Sequence, residues 1–148
     1  PVSVLVVVHT AALEVLLLER ASHPGYWQSV TGSLDRLDEP PEAAAAREVL
    51  EESGHRVRAV KLVALKDRAL HDYRPVRLEH VYKLFFLCEL EDARDAVGAT
   101  DVAGIETSRA QFFPLDALPD LSAGRTLAAD VELLDAHRRQ PELPTVFD

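Results

Sequence analysis

Apolar positions in this chain fall in short, β-branched blocks rather than in long periodic stretches. Val2–His9 and Val15–Glu19 are near-continuous runs of Val and Leu separated by a small turn, which predicts two strands paired as a hairpin. His23-Pro24-Gly25 interrupts the chain, and Trp27–Thr31 predicts a further short strand halted by Gly32. The pattern then changes. Pro40-Pro41, Glu42 and the run Ala43–Ala46 mark a helix start, because Pro fits the first turn and Ala has the best helix propensity. Gly54 stands where a C-terminal cap belongs, so the predicted helix covers Pro41–Ser53. Val57–Leu65 and His80–Leu90 predict strands, with a polar loop containing His and Arg between them. Asp92–Gly104 reads as an exposed excursion, Ala110–Leu115 as another strand, and Arg125–Arg139 as a final amphipathic helix. Strands and helices mix without regular β-α alternation, which predicts an α/β or α+β sandwich around a mixed β-sheet.

Composition narrows the class. A length of 148 residues predicts one domain spanning 1–148, with a hydrophobic fraction of 47% and a charged fraction of 28% typical of a soluble globular chain. The apolar stretch Val4–Val8 is too short to span a bilayer, and no signal peptide or lipidation motif is present. The chain begins at Pro1 and contains no Met, so either an initiator was removed or the numbering starts inside a longer sequence. The single Cys88 excludes an internal disulfide and sits in an apolar run, which predicts a buried thiol; a cytoplasmic setting is the default expectation. A net charge of −9 argues against nucleic-acid or anionic-membrane partners, since both need a basic patch. The same charge repels a polyphosphate unless a cation and nearby Arg or Lys offset it locally.

The segment Arg47-Glu48-Val49-Leu50-Glu51-Glu52-Ser53-Gly54 carries the chemistry. Glu48, Glu51 and Glu52 stand at i, i+3 and i+4, so a helix crowds all three carboxylates onto one face. Like charges so placed cost a few tenths of a kcal/mol per pair (~0.2–0.5), unless a cation offsets them. Oxygen-only ligands suit Mg2+ or Mn2+ better than zinc. The competing reading is a solvated acidic helix face. Val49, Ala46 and Leu50 occupy the other side of the helix and predict the face that packs on the sheet. Ala44 and Ala45 lie near the acidic edge, small enough to let the Thr31-Gly32-Ser33 loop approach. Arg47 precedes Glu51 by four residues and can pair with it.

Gly32, Glu39, Arg47, Glu48, Val49, Glu51, Glu52 and Gly54 together resemble the signature of the Nudix (MutT-like) hydrolases, G-x5-E-x7-R-E-U-x-E-E-x-G-U, with U bulky and aliphatic. Two positions depart from it. Six residues, Ser33 to Asp38, separate Gly32 from Glu39 where the pattern has five, and the last aliphatic position is His55. Either Glu39 keeps its place behind a longer loop, or Asp38 takes it and the extra residue lies at Pro40-Pro41.

The resemblance implies an α/β/α sandwich and a divalent-metal-dependent diphosphohydrolase acting on a small nucleotide or other diphosphate, with homodimers frequent in the family. It implies a metal site of Glu48, Glu51, Glu52 and Gly32 holding Mg2+ or Mn2+, with Glu51, Glu52 and Arg47 in the catalytic machinery. The metal would neutralise phosphate charge and lower the pKa of an attacking water. Glu106 is the candidate general base or additional ligand, and Glu79 a weaker alternative for that role. Trp27 could stack on a base or pterin ring, although a Trp beside an apolar strand more often packs. Arg68, Arg74 and Arg77 are candidates for substrate phosphates, and His71 and His80 for polar contacts.

The substrate signal is divided. Tyr26 to Ser33 and the first strand resemble bacterial dihydroneopterin triphosphate diphosphatases over roughly the first third of the chain. Phe112 to Ser122 looks instead like Nudix enzymes acting on nucleotide sugars. Two rivals from other classes remain: a Nudix-fold sensor that binds a nucleotide sugar without cleaving it, and an acidic protein-interaction face without metal.

Overall fold

A computed structural model of the chain describes residues 2–10, 14–34, 36–67, 82–91, 100–101, 107–122 and 128–148. The described residues form β1 (Val2–His9), β2 (Glu14–Arg20), β3 (Trp27–Gln28), β4 (Val30–Ser33), α1 (Pro41–Ser53), β5 (Val57–Asp67), β6 (Tyr82–Leu90), β7 (Thr100–Asp101), β8 (Thr107–Pro114), α2 (Ala128–Arg139) and β9 (Val146–Phe147). The strands make one mixed sheet in the order β7-β8-β2-β1-β6-β5-β9, with β3 added to β2 and β4 added to β1.

The predicted hairpin of the first two strands holds only at its turn. β1 and β2 pair at His9 and Val15, and then diverge. β1 runs parallel to β6 along its whole length, from Val2 opposite Tyr82 to His9 opposite Glu89. β2 instead pairs antiparallel with β8. The segment expected as one strand over Trp27–Thr31 fills the wedge between them in two pieces. β3 adds to β2 at Leu18 and Glu19, and β4 adds to β1 from Ser3 to Val6, passing through Gly32 rather than stopping there. The chain thus changes neighbours at Ser29, which breaks the strand. Part of the expected excursion, Thr100–Asp101, pairs with β8, and the C-terminal Val146–Phe147 adds in parallel to β5. A two-residue strand has no periodicity to read, so neither was visible in the sequence.

Alternation along the strands splits the core into two layers. Val4, Val6, Val8, Leu16, Leu18, Leu84, Phe86 and Cys88 pack with Ala45 and Val49 of α1. Val15, Leu17, Phe85, Leu87 and Trp27 pack with Val131 and Leu134 of α2. Helices therefore cover both faces, giving the α/β/α sandwich. The buried side of α1 differs from expectation: Ala44, Ala45, Val49 and Ser53 are buried, whereas Leu50 is 39% exposed. Two fully buried alanines bring the α1 backbone close to the sheet, and the buried stripe follows Ala45, Val49 and Ser53 at i, i+4 and i+8, about two turns of helix. On the other face Asp130 of α2, fully buried, meets Lys66 at 3.6 Å, and the Lys66 ammonium lies 5.2 Å from the Phe85 ring centre. Cys88 is buried, and burial pushes its thiol up to about 12. No helix among the described residues is long and apolar enough to cross a membrane.

Candidate active site

The acidic edge of α1 faces β4, and two local features fix it there. The first is steric. A Cβ built at Gly32 would collide with the Cγ, Cδ and Oε1 atoms of Glu48, so only glycine lets the strand lie against this carboxylate. Gly32 is needed here for space, not for an unusual φ. The second is electrostatic. Arg47 Nε donates to both oxygens of Glu39, at 3.1 and 2.9 Å, while Nη1 donates to Glu48 Oε1 at 3.1 Å and to Glu51 Oε2 at 3.2 Å. The hydrogen bond to Glu39, and then the surrounding carboxylate charge, raise the Arg47 pKa well above its ordinary value. The guanidinium is a fixed cation that orients three acids.

This pairing bears on how the chain accommodates its longer loop. Arg47 holds Glu39, the candidate that stands behind the longer loop, in keeping with an extra residue between Gly32 and Glu39. The second departure is also explained. His55 is buried and packs edge-on against Phe112, ring centres 5.2 Å apart, filling the apolar position with an aromatic ring. Between them, the helix ends as predicted. Gly54 adopts φ 77° and donates to the Leu50 carbonyl at 2.9 Å, and Ser53 Oγ donates back to the Val49 carbonyl at 2.6 Å.

Glu48 and Arg47 are half-buried in their side chains, at 14% and 17% exposure, whereas Glu51 is open at 51%. Glu52 lies on the same helix face at partial burial. Among the described residues no three acidic, His or Cys side chains are already turned inwards around a common point, because Glu48 and Glu51 point at Arg47. The donor set nonetheless fits a hard divalent ion. It consists of carboxylate oxygens alone, in a cradle that any side chain at position 32 would fill.

Other expected residues go elsewhere. Trp27 is buried on the α2 face, opposite the acidic edge, with its ring 4.8 Å from Phe113 and the Arg109 guanidinium 5.2 Å from its centre. Arg109 is held in turn by Glu19 at 3.1 and 3.2 Å, and Glu19 also accepts from the Gly25 N–H at 2.9 Å. The structure does not bring Trp27 to the carboxylates. Arg68, His71, Arg74, Arg77, Glu79, His80 and Glu106 lie outside the described residues.

Two residues escaped the sequence reading. Gln28 pairs with Leu18 and so projects on the α1 face, with its buried Oε1 lacking a partner among the described residues. Arg36, in the lengthened loop, reaches Glu51 at 3.9 Å. Alternation from Val30 could have signalled the first. The second needed the fold of the loop.

Comparison with known proteins agrees with this geometry. The NUDIX domain family model matches residues 1–134. A putative ADP-ribose pyrophosphatase, YjhB of Bacillus subtilis, is 35% identical over 133 residues, which is 90% of this chain and 60% of that protein. The chain therefore spans less than two thirds of that relative's length. The dihydroneopterin triphosphate diphosphatase of Escherichia coli K12 is 49% identical over 53 residues, covering 35% of each protein. Among solved structures, an ADP-ribose pyrophosphatase from Streptococcus suis superposes with a TM-score of 0.80 at 26% identity, covering 99% of this chain and 98% of that one. Sheet, helices, glycine approach and arginine-centred carboxylates define a Nudix architecture. The chain belongs to the Nudix family.

Proposed function

We propose that this chain hydrolyses a phosphoanhydride bond in a nucleoside diphosphate-linked substrate, in a divalent-metal-dependent reaction at the acidic edge of α1. The observation that carries the proposal is the Glu48 carboxylate held between the Gly32 backbone and Arg47, with Glu51 on the same guanidinium. Glu48, Glu51 and Glu52 would hold Mg2+ or Mn2+. When bound, such an ion supplies neutralisation of phosphate charge and activation of water as nucleophile. Arg47 keeps Glu48 and Glu51 in register, and Glu39 locks Arg47. That positioning matters because phosphoryl transfer depends chiefly on placement and charge stabilisation. Glu106 remains the proposed base.

ADP-ribose is the favoured substrate, on the strength of the relative that matches most of the chain and is named as a putative ADP-ribose pyrophosphatase. Dihydroneopterin triphosphate is the second reading, supported by the higher identity confined to a 53-residue segment. Product detection with ADP-ribose, other nucleotide sugars, nucleoside triphosphates and dihydroneopterin triphosphate, with and without Mg2+ or Mn2+, tests both. Metal-dependent cleavage of ADP-ribose supports the first; preference for the pterin supports the second. Metal binding without cleavage of any of them would favour a sensing role.

A further inference from the structure

The loop joining β4 to α1 is one residue longer than the family signature, and both of its ends are fixed. Gly32 is pinned against Glu48, and the Leu34 N–H continues the pairing onto the Val2 carbonyl at 2.9 Å. At the other end Glu39 is clamped on Arg47. Before Glu39 the loop makes a tight turn, closed where the Glu39 N–H meets the Arg36 carbonyl at 3.4 Å. Leu37 occupies the tip, wholly exposed. Closing the turn returns Arg36 to the flank of α1, where its guanidinium stands 3.9 Å from Glu51 Oε1.

Among the described residues, two arginines at this cluster are in different states. Arg47 is already hydrogen-bonded to Glu39, Glu48 and Glu51 and is 17% exposed. Arg36 is 54% exposed and touches one half-exposed carboxylate at long range. An exposed pair of that kind holds its partners weakly, so an incoming anion can exchange with it. A protein of net charge −9 must still attract a phosphate to a cluster of acids. Guanidinium groups suit phosphate because their fork matches two oxygens at once.

We propose that Arg36, presented by the lengthened loop, is a phosphate-binding residue that takes a non-bridging oxygen of the substrate's diphosphate as it enters beside Glu51. This deepens the proposed function and rests on its location for the site. Its test is read by binding, so that the two can fail separately. The probe is inorganic pyrophosphate, titrated calorimetrically in the presence of Mn2+ into the unsubstituted protein, Arg36→Gln and Arg36→Lys, with Mn2+ alone titrated in parallel. Arg36→Gln is expected to weaken pyrophosphate binding about tenfold, the scale of one charge-assisted hydrogen bond, with Arg36→Lys recovering part of it. Affinity for Mn2+ alone should stay level or tighten, since a competing cation near Glu51 is gone. In turnover the same variant should raise KM and leave kcat nearly unchanged.

Equal pyrophosphate affinity in Arg36→Gln and the unsubstituted protein would overturn the assignment, as would no pyrophosphate binding by the unsubstituted protein. Tighter Mn2+ binding with unchanged pyrophosphate binding would also overturn it and leave Arg36 as a counter-ion of Glu51. Absence of substrate hydrolysis, with pyrophosphate binding weakened by Arg36→Gln, would count against the reaction and not against Arg36.

Discussion

Replacing Gly32 by Ala separates the stability of this fold from the chemistry of its site. The added methyl meets only the flexible end of Glu48: its Cγ, Cδ and Oε1 atoms, with no backbone among the nearest neighbours. Gly32 has an ordinary φ, so Ala adds no backbone strain. The collision is relieved by swinging the Glu48 carboxylate out, which gives up its 3.1 Å bond from Arg47. One partly buried, charge-assisted hydrogen bond is worth about 1.5–3 kcal/mol at most and less where water can replace it. A loss of about 1–2 kcal/mol lowers Tm by roughly 3–6 °C in a chain of this size. The site suffers more. A displacement of about 1 Å in a positioned catalytic group can cost about 100-fold in rate. Gly32→Ala is therefore expected to fold with a modest drop in Tm, seen by thermal unfolding, while metal-dependent turnover falls about 100-fold or more. Near-normal turnover would refute the reasoning that the glycine exists to admit Glu48. Global unfolding would refute the claim that the clash is absorbed by one side chain.

Other consequences follow from particular residues. Gly54 ends α1 in the left-handed region with open space around it, so Gly54→Ala should cost about 1 kcal/mol from backbone strain alone, measured by denaturant unfolding. An unchanged midpoint would contradict the cap assignment. His9 is buried at the end of β1 with neither ring nitrogen partnered among the described residues, and burial, followed by the nearby Arg138, lowers its pKa to about 4. Below about pH 6.5 the unfolded chain takes up a proton that folded His9 refuses, so stability falls as pH drops from there towards 4. His9→Phe should flatten that decline in urea unfolding between those pH values, and an unaltered pH slope would assign the acid sensitivity elsewhere.

The fold was readable wherever one physical signal dominated. α1 was legible because Pro, an Ala run and Gly mark its ends and its interior independently. The carboxylate face was legible because i, i+3, i+4 spacing is fixed by helix geometry. The divergence of β1 from β2 was not, since a strand pattern tells which face is apolar and not which neighbour it pairs with. Trp27 shows the same limit. It belongs to the α2 layer because it pairs with Glu19 of β2, and a strand pattern does not announce that partner. Leu50 misled because hydrophobicity alone placed it inward, while the close approach of Ala44 and Ala45 set the rotation of the helix. Arg36 was invisible for a different reason: its position depends on how a loop with two fixed ends disposes of one extra residue.

The central claim is that the Glu48, Glu51 and Glu52 edge of α1 performs metal-dependent diphosphate hydrolysis. The most direct measurement compares phosphate-product release from ADP-ribose by the unsubstituted protein and by Glu52→Gln, with and without Mg2+, alongside thermal unfolding of both. The account predicts turnover that requires the metal and falls by orders of magnitude in Glu52→Gln, with the fold intact. Turnover that persists in Glu52→Gln, or proceeds equally without metal, would contradict it.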